Sequence, residues 1–120
     1  MANELDIKIR NAIHNIYKEY FEKVEAVIEE EFGLTLGDIS VKSQKRPLPY
    51  IRAIYAHYLN NIGVPMVVIG ERLNCNHSTL SGWSGKYDDS YKYNSEFRLI
   101  VDRFNKRLKE KENGIQETNV

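Results

Sequence analysis

Residues 65–87 read PMVVIGERLNCNHSTLSGWSGKY, and they decide the fold. Pro65 suits a first helical position, where its fixed φ is pre-set and its missing N–H costs nothing. Ile69 and Leu73 lie four apart and Asn74 is a stop signal. These flanks make 65–73 one short apolar-faced helix in spite of the β-branched Val67, Val68 and Ile69. Asn76 can cap a second helix from His77 to Tyr87, its side-chain oxygen accepting from the backbone N–H of Ser78 or Thr79. Gly82 and Gly85 each cost that helix about 1 kcal/mol against alanine, so packing must hold it. Two short helices with a tight joint between them, preceded by a longer apolar helix, have the layout of a helix-turn-helix.

Upstream, Ser40 to Pro49 has no periodicity and two prolines, which makes it a basic loop. Pro49 then opens a helix whose stripe is Ile51, Ile54, Tyr55, Tyr58 and Leu59, closed by Asn60, Asn61 and Gly63. Further back, Leu5, Ile9, Ala12, Ile13, Ile16, Tyr20, Val24 and Val27 recur at steps of three and four on a helix with an acidic opposite face. Unbroken to Glu31 it would be about 40 Å long at ~1.5 Å per residue, more than so small a domain can cover. Either part of the stripe packs on another chain or the helix breaks between Tyr17 and Lys23. Gly33 ends it, and Thr35 to Ile39 is a short helix or turn. Downstream, Asp88 to Tyr93 reads as polar loop. Asn94 or Ser95 then caps a last helix with the stripe Phe97, Ile100, Val101, Phe104 and Leu108. The expectation is an all-α bundle of five to six helices built around a helix-turn-helix, with a long N-terminal helix. Its boundaries are an acidic amphipathic helix at 1–31, the helix-turn-helix unit at 32–110 and a frayed tail at 111–120.

The 120 residues hold 17 Lys plus Arg, 17 Asp plus Glu and 42% hydrophobic residues, which describes one small domain. A chain of this size buries enough surface to fold without metal or disulfide help. Cys75 is the one cysteine, so no disulfide framework exists and a reducing cytoplasm is the expected compartment. The opening carries acid where a secretory signal carries base, and the longest apolar stretch, Ile62 to Ile69, falls far short of the ~20 residues of a bilayer span. Neither secretion nor a membrane partner is expected. The zero net charge conceals a segregation. Residues 1–31 carry 4 basic and 8 acidic side chains, residues 32–87 carry 6 and 2, and residues 88–120 carry 7 and 7. A polyanion site belongs in the basic middle.

That middle also holds the chemistry a major groove demands. Val68, Ile69 and Leu73 are the apolar brace, while His77, Ser78 and Thr79 put short polar side chains at the start of the second helix, where base edges are read. The same helix start offers free N–H groups to a phosphate oxygen. Arg72 lies one turn before, and Lys86 at the far end can reach a flanking phosphate. Lys42, Lys45 and Arg46 form a proline-stiffened basic loop suited to phosphates or a minor groove, with Arg52 as a further phosphate anchor. Taken singly, Asn76, Ser78 and Thr79 are ordinary caps and the loop an ordinary solvated one. Their joint occurrence favours duplex DNA.

These residues resemble the C-terminal, double-stranded-DNA-binding domain of the bacterial replication initiator DnaA, whose fold is a Trp-repressor-like helix-turn-helix. That family carries a Lys/Arg-rich loop, a Pro-led helix, a bracing helix with an Ile-Gly start, and a signature close to Arg-Asp-His-Thr-Thr-Val. The similar stretches here are Asp38 to Lys42 with Lys45-Arg46, Pro49 to Leu59, Val68-Ile69-Gly70, and Cys75-Asn76-His77-Ser78-Thr79-Leu80. Phe32-Gly33-Leu34 and the last helix are similar too, so the resemblance covers residues 24–108. It implies a minor-groove reader at Arg46 or Lys45, and major-groove contacts from Asn76, His77, Ser78 and Thr79. Cys75 stands where the family usually has Arg, Asn76 where it has Asp, and Gly82-Trp83 where it often has His-Ala. No Gly-x-x-x-x-Gly-Lys-Ser/Thr phosphate loop is present, so no ATP chemistry is implied.

Other chemistries have weaker signals. His14, His57 and His77 lack metal-type spacing, and a lone cysteine cannot complete a zinc site. Asp88-Asp89 reads as a solvated turn rather than a catalytic pair, and Cys75 and His77 diverge on a helix start. No catalytic residue, metal or cofactor is assigned. Tyr55 and Tyr58 fall on a core stripe, while Tyr87, Tyr91 and Tyr93 are candidates for the surface. The function expected is sequence-preferring binding of double-stranded DNA, in replication initiation at an origin or in its regulation. The alternative is a protein-interaction module or transcriptional regulator that forms a homodimer through the N-terminal helix.

Overall fold

A computed structural model describes residues 3–117, with side chains to Asn113. Among the described residues there are eight helices and no strand: α1 (Glu4–Ile16), α2 (Lys18–Phe32), α3 (Leu36–Ile39), α4 (Leu48–Asn61), α5 (Met66–Leu73), α6 (His77–Gly85), α7 (Tyr87–Tyr93) and α8 (Ser95–Glu117). The all-helical class is as expected, but the helices outnumber the five or six read from the sequence. Two differences account for this, and a third lengthens the last helix.

First, of the two outcomes left open for the long N-terminal helix, the break is found, at Tyr17, which is at once the C-cap of α1 and the N-cap of α2. Beyond the break the stripe turns into the core. Phe21, Val24, Val27 and Ile28 are buried, whereas α1 buries no residue at all. Thus α2 belongs to the same core as the later helices rather than to a separate leading segment. Second, residues 87–93 are helix α7 and not a loop, and α6 correspondingly stops at Gly85 instead of Tyr87. Asp88 and Asp89 occupy the first turn of α7, where they complement the positive end of the helix dipole. The Tyr91 hydroxyl donates to Asp102 of α8 at 2.8 Å, and Tyr87 packs edge-on against Phe97. Third, α8 runs past position 110, where the frayed tail was expected, to Glu117; residues 118–120 of that tail lie outside the described residues. Ion pairs Lys23–Glu112 at 2.6 Å and Lys111–Glu30 at 2.9 Å tie this extension to α2.

The middle of the fold is α4, which packs against every helix from α2 to α8. Ile51, Ala53, Ile54, Tyr55, Ala56 and Leu59 are all buried on it, so it is apolar over most of its circumference. Pro49 stands in its first turn as expected. Phe97, Ile100, Val101, Phe104 and Leu108 of α8 complete the core opposite α2, as their spacing indicated. Gly33 closes α2 in the left-handed conformation, φ 70°, and Thr35 and Asp38 form a reciprocal cap on α3. No helix among the described residues is long and apolar enough to cross a membrane.

Candidate nucleic-acid interface

The pair α5 and α6 is joined by Asn74, Cys75 and Asn76. Asn74 takes up the left-handed conformation, φ 52° and ψ 47°, which asparagine tolerates better than most residues. Its turn folds back on α5 so closely that the Cys75 N–H donates to the Gly70 carbonyl at 2.8 Å. A β-carbon at position 70 would meet the Cys75 carbonyl oxygen at 2.7 Å and the His77 backbone at 3.4 Å. Only glycine permits that approach. Val68, Ile69 and Leu73 of α5 are buried as the brace requires, and Leu80 is buried beneath α6.

With those anchors set, the first turn of α6 faces outward. Asn76 caps it, its Oδ1 accepting from the Ser78 N–H at 2.8 Å, and Asn76, His77, Ser78 and Thr79 are all exposed. Lys42 borders two grooves that flank this turn. One, of about 250 Å³, is lined by Val41, Lys42, Cys75, Asn76, Thr79 and Trp83 among others. The other runs toward α1 and is bordered by Arg10, Asn11, His14, Lys42, Asn76 and His77. Its one acid is Glu71, already engaged by His14 Nε2 at 2.7 Å and approached by Arg10 at 4.0 Å.

The remaining basic residues divide. Lys42, Lys45 and Lys86 are exposed, but Lys86 lies at the far end of α6 beside Pro49, Tyr50 and Trp83 and lines neither groove. Arg46 is exposed and ion-paired, its Nη1 lying 3.1 Å from Glu96 Oε2 at the start of α8.

Two residues expected at the DNA contact are corrected, Arg52 as a phosphate anchor and Arg72 beside the second helix. Arg52 is 3% exposed, the one buried polar or charged residue among those described. Its Nε donates to the Ile39 carbonyl at 2.7 Å and Nη1 to that of Ser43 at 2.8 Å, while Nη2 donates to that of Val41. Burial pushes the guanidinium's pKa down from its ordinary value. Arg52 therefore fastens the basic loop from within and cannot reach DNA. Arg72 is likewise committed, donating from Nε and Nη2 to both oxygens of Glu25 at 2.9 and 2.8 Å, while its guanidinium lies over Phe21. Hydrogen bonding to Glu25 raises its pKa. Tyr55 donates to the same carboxylate at 2.6 Å, and its own pKa is raised by burial first and by Glu25 second. The helical period placed Arg72 near α6, but its partner stands on α2, far away in the chain.

Arg10, Asn11, Gln44 and Trp83 border the grooves without having been singled out for DNA contact. Nothing in local spacing marks Arg10 or Asn11, because only the fold of α1 against α5 brings them to the turn. Tyr55 is buried and Tyr87 half-buried, whereas Tyr93 is exposed. No group of three or more acidic, histidine or cysteine side chains placed to hold a metal occurs among the described residues. Comparison with protein-family models, with curated proteins and with solved structures returned no match to this chain.

Proposed function

We propose that the chain binds double-stranded DNA with a sequence preference, through a helix-turn-helix made by α5 and α6. In this reading it is a cytoplasmic domain similar to the C-terminal domain of DnaA. The observation that carries it is the outward first turn of α6, with Asn76, His77, Ser78 and Thr79 exposed beside Lys42. Short polar side chains there match base edges in a major groove, and the Thr79 methyl suits a thymine methyl. Lys42, Lys45 and Lys86 neutralise phosphates, and Arg46 enters a groove after leaving Glu96. The acidic N-terminal segment does not screen this surface, since the α1 residues nearest to it are Arg10, Asn11 and His14. A role in replication initiation or its regulation follows from the family resemblance alone.

Titration of duplexes selected from a random pool, at two salt concentrations, tests the reading. Three cations on phosphates give a slope of log affinity against log salt of about −3. Thr79→Ala or Arg46→Ala lowers affinity for the selected duplex about tenfold or more, whereas Lys42→Ala weakens all duplexes alike and flattens the slope by about one. Affinity indifferent to salt, or unchanged in the first two variants, overturns the proposal. The second reading, a protein-interaction module, has its support in the uncovered apolar face of α1.

A further inference from the structure

Helix α1 buries none of its residues, although Leu5 is 63%, Ile9 51% and Ile16 69% exposed. With Ala12 these three recur at steps of four, three and four, which is the narrow seam of a coiled coil rather than the broad stripe of a helix laid on its own core. The opposite face is already taken. His14 contacts Glu71 at 2.7 Å and stacks on Phe21 at 6.3 Å between ring centroids, so α1 is held to α2 and α5 with its seam turned away from the domain. The seam thus awaits a partner outside the fold.

We infer that this partner is a second copy of the chain, its α1 lying antiparallel to the first. The two ends of α1 differ in sign: Glu4 and Asp6 stand in the first turn and Lys18 opens α2 just beyond the last, while His14 is turned to Glu71 of its own chain. Antiparallel pairing lays each acidic first turn against the basic end of the other copy and opposes the two helix dipoles. Parallel pairing would set Glu4 and Asp6 against themselves. The seam is also self-complementary in this direction, since Leu5 then faces Ile16 and Ile9 faces the small Ala12 of the other copy. The result is a closed two-fold dimer. Where the DNA reading holds, such a dimer presents two α6 helices and calls for an inverted repeat, a consequence that rests on that reading while the dimer itself does not.

Sedimentation of the full chain without DNA tests the inference. The mass should rise from 14.0 kDa toward twice that value as the loading concentration increases. Ile9→Glu and Ile16→Glu should remain at the lower mass with unchanged helical circular dichroism, because neither side chain serves the core. Direction is read by disulfide cross-linking in a Cys75→Ser background: chains carrying Leu5→Cys should couple to chains carrying Ile16→Cys faster than to their own kind. A wild-type chain that stays monomeric at every loading leaves the seam to a different protein and overturns the inference. So does dimerisation indifferent to both glutamate substitutions, or preferential coupling of Leu5→Cys to itself.

Discussion

Gly70 and Cys75 approach so closely that a single added carbon on the first would lie 2.7 Å from the carbonyl oxygen of the second. The turn between α5 and α6 takes its path from that contact, and the exposure of Asn76 to Thr79 follows from the turn. Alanine in a helix interior normally gains about 1 kcal/mol over glycine. At position 70 the sign should reverse, because the obstructing atom is backbone and cannot swing aside; Gly70→Ala is expected to cost about 1–3 kcal/mol in urea unfolding. Gly82 and Gly85 meet nothing within 4 Å of an added β-carbon, so alanine there should stabilise by about 0.5–1 kcal/mol each. Equal signs at all three positions would refute the close approach.

Arg52 and Arg72 are basic residues in the basic part of the chain, yet both are spent on the fold. Arg52→Met should leave the carbonyls of Ile39, Val41 and Ser43 without their donor and cost about 2–4 kcal/mol. Arg52→Lys should recover only a fraction, since one ammonium cannot reproduce a three-nitrogen fork. Arg72→Ala should cost about 1–3 kcal/mol by leaving the Glu25 carboxylate unpaired. Neither change should alter the salt slope of duplex binding at temperatures where the variant is folded. A slope shallower by one unit for Arg72→Ala would place that residue in the DNA contact after all.

The Arg46–Glu96 pair holds the loop arginine in the free protein at a surface where both side chains are largely exposed. Such a pair contributes at most about 1 kcal/mol to stability. Glu96→Gln should therefore leave the unfolding midpoint nearly unchanged while raising duplex affinity a few-fold at low salt, because Arg46 no longer has to leave a carboxylate. An affinity that falls in Glu96→Gln would place Arg46 outside the interface.

His57 stacks on Tyr87 at 3.6 Å with the rings 2° from parallel, and its Nε2 accepts from the Asn61 amide at 3.0 Å. Burial holds its pKa below the ordinary value, partly offset by Asp88. The unfolded chain thus binds this proton more readily than the folded one. Stability from neutral His57 is complete above pH ~6.5 and is lost as the pH falls below that toward the folded value. Unfolding midpoints measured from pH 7.5 to 5 should fall in the wild type and flatten in His57→Phe, which keeps the stack without the proton. Glu31 acts lower on the scale. Its pKa is depressed first by the hydrogen bond from Arg103, so its contribution is present above pH ~4.5 and lost below.

Helix periodicity and punctuation carried much of this fold. The stripes of α4 and α8 were legible because every third or fourth side chain needs burial, and the brace, turn and cap of residues 65–79 were legible because Pro65, Asn74 and Asn76 act on their own neighbours. The same local signals named Lys42, Asn76, His77 and Thr79, which the fold gathers around two adjoining grooves. Local signals misread residues 87–93, whose helix depends on α8 for its contacts, and residues 111–117, held by ion pairs to α2.

What the sequence determined by itself, then, was where helices begin, which face of most is apolar, and which turn carries short polar side chains. Tertiary structure alone decided which cations remain free. A guanidinium's role depends on what lies within about 3 Å of it, and the partners of Arg52, Arg72 and Arg46 come from elements up to 50 residues away in the chain. It also decided that the apolar stripe of α1, indistinguishable by period from that of α2, stays outside the core: the break at Tyr17 turns one inward and leaves the other facing solvent.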